Sequence, residues 1–276
     1  MKKGILSVVV LGSLLLCATS LFAGELERFS GLQGKIDIAG GTAHIPVMND
    51  AARAIMTANP DIVITVAGGG SGVGVQKVGE GLVEIGNSGR SVSAAEMEKY
   101  PTLKSFAFAV DGVTPVINPS NTVSGLTAVQ IQDIFAGKIT NWSQVGGADA
   151  EIHIYNRDEA SGTRSVFWKK CLNKIAIVET ANVVPSNGAM KTAVANDPQA
   201  IGYTSIGHVD ASVKAVVLDG VAPTQENAIN GSYPVVRKLY MNTNGEPAPL
   251  VQAFIDYVMG ADGATSIAQH GFIPIK

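Results

Sequence analysis

Residues 151–171, EIHIYNRDEASGTRSVFWKKC, carry the local pattern on which the rest of the chain is organised. Apolar and polar side chains alternate over residues 151–155, and this alternation predicts a half-buried strand. Apolar residues then recur at helical spacing from residue 166 to Cys171, which predicts a helix. The Ser-Gly-Thr sequence at residues 161–163 therefore lies where a strand passes into a helix.

This junction has the chemistry of an anion site. The first turn of a helix has backbone N–H groups without partners and carries the positive end of the helix dipole. Ser161 and Thr163 add hydroxyl donors, while Arg157 and Arg164 supply planar guanidinium groups that suit tetrahedral oxyanions. The same residues could also form a serine helix cap beside two surface arginines. The rest of the chain decides between an anion site and this purely structural interpretation.

Three earlier stretches repeat this order of a short apolar strand, a turn of small residues and a helix. The expected strands cover residues 36–39, 62–66 and 83–85, and their turns are GGTAH at 40–44, GGGSGVG at 68–74 and GNSGR at 86–90. Ser93 and Glu96 then form a capping-box pattern that starts a helix. In open α/β sheets, ligands bind beyond the carboxyl ends of strands, where helix N-termini converge. Four such donor-rich turns therefore predict a site for a small anion.

Strands and helices alternate through most of the chain, so the predicted fold class is α/β. Residues 105–119 read as extended chain with a break at Asp111-Gly112, which is the candidate crossing into a second lobe. Residues 234–241 read as a strand that is the candidate return to the first lobe. Two helices are predicted after it, at residues 249–259 and 264–270.

The charge of the chain argues against a nucleic-acid partner. The full sequence has a formal net charge of −3, and without Lys2 and Lys3 it has 18 basic against 23 acidic residues, or −5. Nucleic-acid binders usually carry a basic patch and a high isoelectric point. An anion bound here must therefore be held by local dipoles and hydrogen bonds instead of a general positive field.

Residues 1–23 read as a signal for export. Lys2 and Lys3 are followed by an apolar run that is too short for a membrane span, and the segment ends at Ala23, a small residue suited to cleavage. Lipid attachment at Cys17 is the alternative. Leu16 fits this alternative poorly, because a small residue is expected just before a lipid-attached cysteine. Cleavage after Ala23 leaves Cys171 as the one cysteine, and its place on an apolar helix face predicts a core residue.

Motifs of other phosphate and cofactor sites do not fit the sequence. The glycine run at residues 68–74 lacks the Lys and Ser/Thr that end a P-loop, and it lacks the dinucleotide spacing. Ser71 is not in a Gly-x-Ser-x-Gly elbow, because residue 73 is valine. The four histidines lack paired metal-ligand spacing, so we expect no metal ion and no cofactor. The sequence leaves open the alternative of a Ser-His-Asp enzyme, because these three residues need not be near one another in sequence.

The combined motifs resemble those of the phosphate-binding proteins of bacterial ABC importers, over residues 34–276. The shared motifs are Gly40-Gly41-Thr42 with Pro46, residues 69–74, residues 84–90, Asp111-Gly112, residues 133–142, Arg157 with residues 161–163, and residues 201–203. The segments at 133–142 and 157–163 are the most specific of them.

The resemblance implies a two-lobed fold of the type II periplasmic-binding-protein class, in which each lobe is a mixed sheet flanked by helices and the chain crosses between lobes twice. The implied division is a signal peptide at residues 1–23, a first lobe at 24–112 plus 234–276, and a second lobe at 113–233. The implied ligand is inorganic phosphate, held between the lobes by Thr42, Ala43, Ser71, Ser88, Arg90, Asp111, Arg157, Ser161, Gly162 and Thr163.

The resemblance also implies how the protein works. It would act in the periplasm as a monomer that delivers phosphate to ABC permease subunits in the membrane, without catalysis. A binding protein for another tetrahedral oxyanion or for a phosphorylated small molecule is the first alternative. A periplasmic phosphatase is the alternative from a different functional class.

Some positions depart from the family pattern. Relatives often have hydroxyl residues where this chain has Gly41, Ala43 and Gly89, and Ser88 is the candidate substitute for one of them. Phosphate near neutral pH carries a proton, so a carboxylate acceptor can select it over sulfate. We expect Asp111 to be that acceptor, with Glu84 as the second candidate.

Overall fold

The computed structural model describes residues 24–275. The export signal and the alternative of lipid attachment at Cys17 lie outside the described residues. Within residues 24–275, no helix combines the length and the apolar character needed to cross a bilayer.

Helices and strands alternate along the chain, as the sequence predicts. The strands are β1 (Gly34–Gly40), β2 (Ile62–Gly69), β3 (Ile85–Ser88), β4 (Leu103–Ile117), β5 (Gly125–Leu126), β6 (His153–Arg157), β7 (Asn182–Val184), β8 (Ala200–Ser205), β9 (Lys214–Ala215), β10 (Val217–Leu218), β11 (Val236–Asn244) and β12 (Ile273–Pro274). The α-helices are α1 (Ile45–Ala58), α2 (Ser71–Gly79), α3 (Ala94–Lys99), α4 (Ala128–Phe135), α5 (Gly162–Lys170), α6 (Asn187–Asn196), α7 (Gln225–Ile229), α8 (Pro249–Met259) and α9 (Ala261–Gln269). Short 3₁₀ helices lie at Leu26–Phe29, Trp142–Val145 and Ile206–His208.

A mixed sheet runs through both lobes in the order β2-β1-β3-β11-β4-β8-β6-β7. Strand β1 is parallel to β2 and β3, and β6 is parallel to β7 and β8, whereas β4 and β11 are antiparallel to their neighbours. The chain crosses between lobes twice, at β4 and at the start of β11, and the Val113 N–H donates to the Val235 carbonyl between the two crossings at 2.8 Å. The protein therefore has two lobes joined by two adjacent strands.

The expected break at Asp111-Gly112 is wrong, because β4 runs through both residues without interruption. Its first part pairs with β11 and its last five residues pair with β8. Gly112 serves close packing instead of a turn, since a Cβ atom at this position would lie 2.2 Å from Cδ1 of Ile206. The crossing is consequently a continuous strand that belongs to both lobes.

The boundaries of the third predicted strand also need correction. The sequence predicted a strand at residues 83–85 and a turn from Gly86, but β3 covers Ile85–Ser88. Gly86 lies within the strand because α2 packs tightly against it, and a Cβ atom at Gly86 would lie 2.2 Å from the Gly74 carbonyl oxygen. A glycine in a strand can mark such close backbone approach. The sequence pattern alone predicts a turn at Gly86, because it does not show this packing.

Each lobe has its own apolar core. The first core combines residues from both ends of the chain, including Ile36, Phe108, Phe254 and Phe272. The main core of the second lobe contains three aromatic rings in contact, with Phe167 stacked on Tyr203 at a centroid distance of 4.3 Å and Phe135 at the edge of both.

Cys171 lies in the second-lobe core with only 2% of its surface exposed. Its predicted place in the core is therefore confirmed. Burial disfavours the thiolate and raises the pKa of Cys171 to about 12, so this thiol is unreactive near neutral pH.

Candidate anion-binding site

Three helix N-termini converge on a cavity between the lobes. Helices α1 and α2 point to it from the first lobe, and α5 points to it from the second. Free N–H groups and the positive dipole ends at such termini favour a negative ligand. The lining residues are Gly41, Thr42, Ala43, His44, Gly70, Ser71, Gly89, Arg157, Ser161, Gly162, Thr163 and Arg237.

The cavity is narrow and lacks acidic side chains. Its volume is only about 10 Å³. This is about the space that one ordered water needs. Within residues 24–275, no Asp or Glu belongs to its lining. This arrangement suits a small anion enclosed by donors and excludes a bulky ligand.

Arg157 gives the second-lobe wall a positive charge that the protein does not neutralise. Its surface is only 2% exposed, yet Nε and Nη1 have no acceptor among the described residues. Nη2 donates to the Pro185 carbonyl at 3.0 Å, and the Tyr203 hydroxyl accepts from the Arg157 backbone N–H at 3.1 Å. Burial, and to a smaller extent the nearby Arg237 cation, lower the pKa of Arg157, although a guanidinium stays charged in proteins. Two buried, unpartnered N–H donors are therefore available to an anion.

Arg237 gives the first-lobe wall a second guanidinium, but this one is already paired. Its Nε donates to Asp111 at 2.8 Å, and its Nη2 lies 2.8 Å from the same carboxylate oxygen. The other oxygen of Asp111 accepts from the Ser205 hydroxyl at 2.8 Å. Burial raises the pKa of Asp111, and the Arg237 cation opposes this shift. The pair is nearly neutral as a unit, and the Nη1 of Arg237 reaches Thr163 at 3.0 Å in the second lobe.

Three lining hydroxyls are held in the orientation of hydrogen-bond donors. Thr42 Oγ1 accepts from the backbone N–H and from Nδ2 of Asn187, at 3.2 and 3.0 Å. Ser71 Oγ accepts from the Gly89 N–H at 2.9 Å, and Ser161 Oγ accepts from the Arg164 N–H at 3.1 Å. A hydroxyl whose oxygen accepts from the protein keeps its hydrogen for another acceptor. The protein thereby directs these O–H groups towards a ligand that accepts.

Asn187 connects the two lobes next to the cavity. It is fully buried and begins α6 in the second lobe, while the Thr42 hydroxyl that it contacts belongs to the first. Its Oδ1 accepts from the Thr204 hydroxyl at 3.1 Å and from the Ser205 N–H at 3.2 Å. The Gly72 N–H forms another bond between lobes, to the Ala160 carbonyl at 2.9 Å. The lobes are therefore closed on each other beside the cavity.

Seven of the ten residues that the sequence suggested as ligand contacts line the cavity. They are Thr42, Ala43, Ser71, Arg157, Ser161, Gly162 and Thr163. The remaining three are close in the fold but lie outside the lining. Ser88 Oγ donates to the Arg90 carbonyl and accepts from Asn242. The Arg90 guanidinium forms two 2.7 Å bonds with Glu96. Asp111 lies behind Arg237, and both of its oxygens already accept from the protein.

Three residues of the site, Arg237, His44 and Asn187, are not predicted as such by the sequence patterns. A signal for Arg237 was present, because it lies on the buried side of an alternating strand with Leu239 and Met241. A charged residue on such a face needs a buried partner, and Asp111 is the residue opposite it in the register of β4 and β11. His44 was considered only as a metal ligand, and Asn187 had no recognisable motif.

Two glycines lie at positions where the resemblance implies a hydroxyl residue, and the structure explains why neither has a side chain. A Cβ atom at Gly41 would lie 2.5 Å from Nδ1 of His44, and a Cβ atom at Gly89 would lie 2.6 Å from Nη1 of Arg237. Both distances are too short for a real contact, so these side chains occupy the space that a serine would need. Burial lowers the pKa of His44 to about 3, so the ring beside the cavity is neutral near neutral pH.

Acidic, cysteine and histidine side chains do not group into a metal site in the described part of the chain. The donor set of the cavity is also unsuited to a cation, because it consists of guanidinium groups, hydroxyls oriented to donate and helix N-termini. The geometry instead complements an anion with several acceptor oxygens.

Comparison with known proteins gives the family. The model of the PBP superfamily domain matches residues 30–262. The phosphate-binding protein PstS of Bacillus subtilis (strain 168) is 33% identical in an alignment that covers 100% of this chain and 95% of that protein.

Solved structures agree with this match. A candidate phosphate ABC transporter substrate-binding protein from Clostridium perfringens, with bound phosphate, is 35% identical with a TM-score of 0.84 and covers 88% of this chain and 100% of its own. An ABC-type phosphate transport receptor from Vibrio cholerae is 33% identical with a TM-score of 0.70, and covers 86% of this chain and 99% of its own. The chain therefore belongs to the PBP superfamily and, within it, to the PstS-like phosphate-binding proteins.

Proposed function

We propose that the protein captures inorganic phosphate in the cavity between its lobes and delivers it to an ABC importer. The observation that carries this proposal is the buried guanidinium of Arg157, with two N–H groups that have no acceptor, at a cavity where the Ser71 and Ser161 hydroxyls are oriented to donate. A tetrahedral oxyanion supplies acceptors in several directions and satisfies all of these groups at once. The relatives named for phosphate support the choice among oxyanions.

Closure explains how such a site binds tightly. When the lobes close, water leaves the cavity, and each hydrogen bond to the anion becomes stronger in the low-dielectric surroundings. The proposed lobes are residues 24–112 with 234–276, and residues 113–233. The separate apolar cores and the hydrogen bond between Val113 and Val235 support this division. Delivery requires the permease to favour the open form, which is a shift of population between two states.

The family supports the following proposal for the cellular setting. The protein is exported, with residues 1–23 as the signal, and works in the periplasm as a monomer that contacts ABC permease subunits. Cleavage after Ala23 is proposed, with lipid attachment at Cys17 as the alternative. Its role is binding without turnover.

Asp111 acts indirectly in this proposal. Both of its carboxylate oxygens accept from neighbouring groups of the protein, so it neutralises and orients Arg237 instead of accepting the proton of phosphate. Ser88 and Arg90 likewise support the third turn through their own hydrogen bonds. Direct contacts to phosphate come from Thr42, Ala43, Ser71 and Arg157, together with residues 161–163.

Calorimetric titration of the ligand-stripped protein near neutral pH tests the proposal. We expect tight binding of phosphate and little heat with sulfate. Binding of sulfate, molybdate or an organic phosphate in preference to phosphate would transfer the function to the first alternative. Turnover of a chromogenic phosphate ester by the purified protein would instead favour the phosphatase.

A further inference from the structure

A larger groove lies beside the anion cavity, on the other side of Arg237. We call it the lateral groove. Its walls are residues 90–93 of the first lobe, residues 165–166 and 169–170 of the second lobe, and residues 236–238 with Val110 and Tyr240 from the connecting strands. Its volume is about 710 Å³, which is within the range of small-molecule sites. Among residues 24–275, Arg237 is the one residue that lines both spaces.

The lateral groove has positive charge that the protein does not compensate. Lys169, Lys170 and Lys238 line it, and no described carboxylate lies within 4.0 Å of their ammonium groups. Lys170 uses one N–H to bind the Val236 carbonyl at 2.6 Å, which holds it at the edge between the lobes. Arg90 and Arg237 are paired with Glu96 and Asp111, so the three lysines carry the net charge of the groove.

This concentration of charge is unusual for an acidic protein. The chain as a whole has a formal charge of −3, and no acidic residue of the described chain lines the groove. Three ammonium groups around one concave surface attract a ligand of at least two negative charges. A neutral or cationic occupant would not use them.

The floor of the lateral groove is apolar. Val110, Val166 and Val236 line it between the lysines, and Tyr240 adds an aromatic ring with a hydroxyl. A hydrated inorganic ion gains little from such a surface, whereas an organic group loses unfavourable contact with water there. The combination therefore selects a ligand with an anionic head and an apolar body.

We propose that the lateral groove is a second binding site, which takes a small organic phosphate monoester. The dianionic phosphate lies against Lys169, Lys170 and Lys238, and the organic group lies on the valine floor. The site differs from the closed cavity behind Arg237, which has no space for an organic group. It does not depend on which inorganic anion the cavity binds.

The walls of the lateral groove belong to both lobes, since Lys169 and Lys170 come from the second lobe and Lys238 from the first. Lysines from both lobes line this one groove in the closed arrangement of the lobes. Phosphate in the cavity favours this arrangement, so it raises the affinity of the lateral groove for the ester, and the ester raises the affinity for phosphate by the same factor.

The test uses 1-naphthyl phosphate as the probe and follows its fluorescence together with the heat of binding. The protein is saturated with inorganic phosphate throughout, so that the cavity is occupied. The variant K169Q/K238Q removes one lysine from each lobe. The matched control K174Q/K35Q also removes one exposed lysine from each lobe, away from the groove.

We expect the probe to bind the phosphate-saturated protein and to bind K169Q/K238Q at least about fivefold more weakly, with less than a twofold change in the control. Inorganic phosphate should bind both variants within about threefold of the parent protein, which shows that they are folded. No binding to the saturated protein, equal loss in both variants, or displacement of the probe by inorganic phosphate would overturn the proposal. Equal binding of neutral 1-naphthol would overturn the assignment of a phosphate head.

Discussion

The two walls of the anion cavity hold their arginines in different ways. On the second-lobe wall, Arg157 is buried with two N–H donors that have no acceptor. On the first-lobe wall, Arg237 is paired with Asp111 within the protein. The uncompensated charge therefore belongs to the second lobe, and we infer that an anion gains most of its electrostatic energy there. The first lobe contributes the N-termini of α1 and α2 and the hydroxyls of Thr42 and Ser71.

Replacement of Arg157 should have the largest effect. In R157Q the cavity loses its uncompensated charge and two donors, each worth about 1.5 to 3 kcal/mol to a charged acceptor. We expect phosphate to bind about 100-fold to 10,000-fold more weakly in a calorimetric titration. The free energy of unfolding of the ligand-free protein should not fall, because two unsatisfied buried donors are removed.

The matched control for this replacement is R164Q. Arg164 lies in the first turn of the same helix, but its side chain is outside the cavity lining and lies 3.9 Å from the exposed Glu159. Its phosphate affinity should stay within about threefold of the parent. The Arg164 Nε is also buried without a partner, but the side chain does not line the cavity and its ion pair with Glu159 is long and partly exposed. Equal losses in R157Q and R164Q would remove the distinction between the two walls.

The next largest effect is expected for N187A, which removes the contact between Asn187 of the second lobe and Thr42 of the first. In N187A the hydrogen bond from the Asn187 amide to Thr42 is lost, and the Thr42 hydroxyl is less firmly oriented as a donor. We expect phosphate affinity to fall by about 5-fold to 30-fold. Small-angle scattering should show a smaller fraction of closed protein at a subsaturating phosphate concentration.

Asn187 also has bonds within its own lobe, so the control must be a buried asparagine of that lobe away from the cavity. Asn118 is suitable, because it donates to the Val194 and Ala195 carbonyls at the end of α6. We expect N118A to lower the free energy of unfolding while phosphate affinity changes less than about twofold. A similar loss of affinity in both variants would mean that Asn187 acts only through stability.

A smaller effect is expected from restoring a family hydroxyl to the first-lobe wall. In G41S the new side chain meets His44 at a distance that no relaxed contact allows. The free energy of unfolding should fall by about 1 to 3 kcal/mol, with a phosphate affinity only a few-fold weaker. In a double-mutant cycle that combines G41S with H44A, chemical denaturation should give a coupling free energy of at least about 1 kcal/mol. Additive effects would contradict the steric explanation.

The smallest effect on ligand choice is expected for D111N. The ratio of phosphate to sulfate affinity should change by less than about threefold, because Asp111 supports Arg237 and does not contact the ligand. The ligand-free protein should lose about 3 kcal/mol of stability, since the Arg237 charge is left buried without a partner. A large fall in selectivity would restore Asp111 as the acceptor of the phosphate proton.

The sequence predicted the parts of this molecule that depend on local patterns. The strand, small-residue turn and helix around residues 157–163 were found because alternation, capping and helical spacing all occur within twenty residues. The cap of α3, with Ser93 and Glu96, is confirmed for the same reason.

The parts that the sequence did not predict depend on contacts between distant residues. Arg237 pairs with Asp111, which is 126 positions away in the sequence. Asn187 contacts Thr42, which is 145 positions away. Gly112 looked like a turn because its tight packing against Ile206 comes from another segment. Local patterns therefore identified the donor-rich turns, but could not determine which distant side chains complete the cavity.

The construction of the first core from both chain ends also has a consequence for the order of folding. Strand β11 and the helices after it supply residues such as Leu239, Phe254 and Phe272 to a core that begins at Phe29. With the proposed division, the second lobe has emerged from a ribosome or an export channel while the first still lacks residues 234–276. Contacts between such distant segments form slowly, so we infer that the second lobe folds first and that the first lobe remains open to chaperones or proteases until the C-terminus arrives.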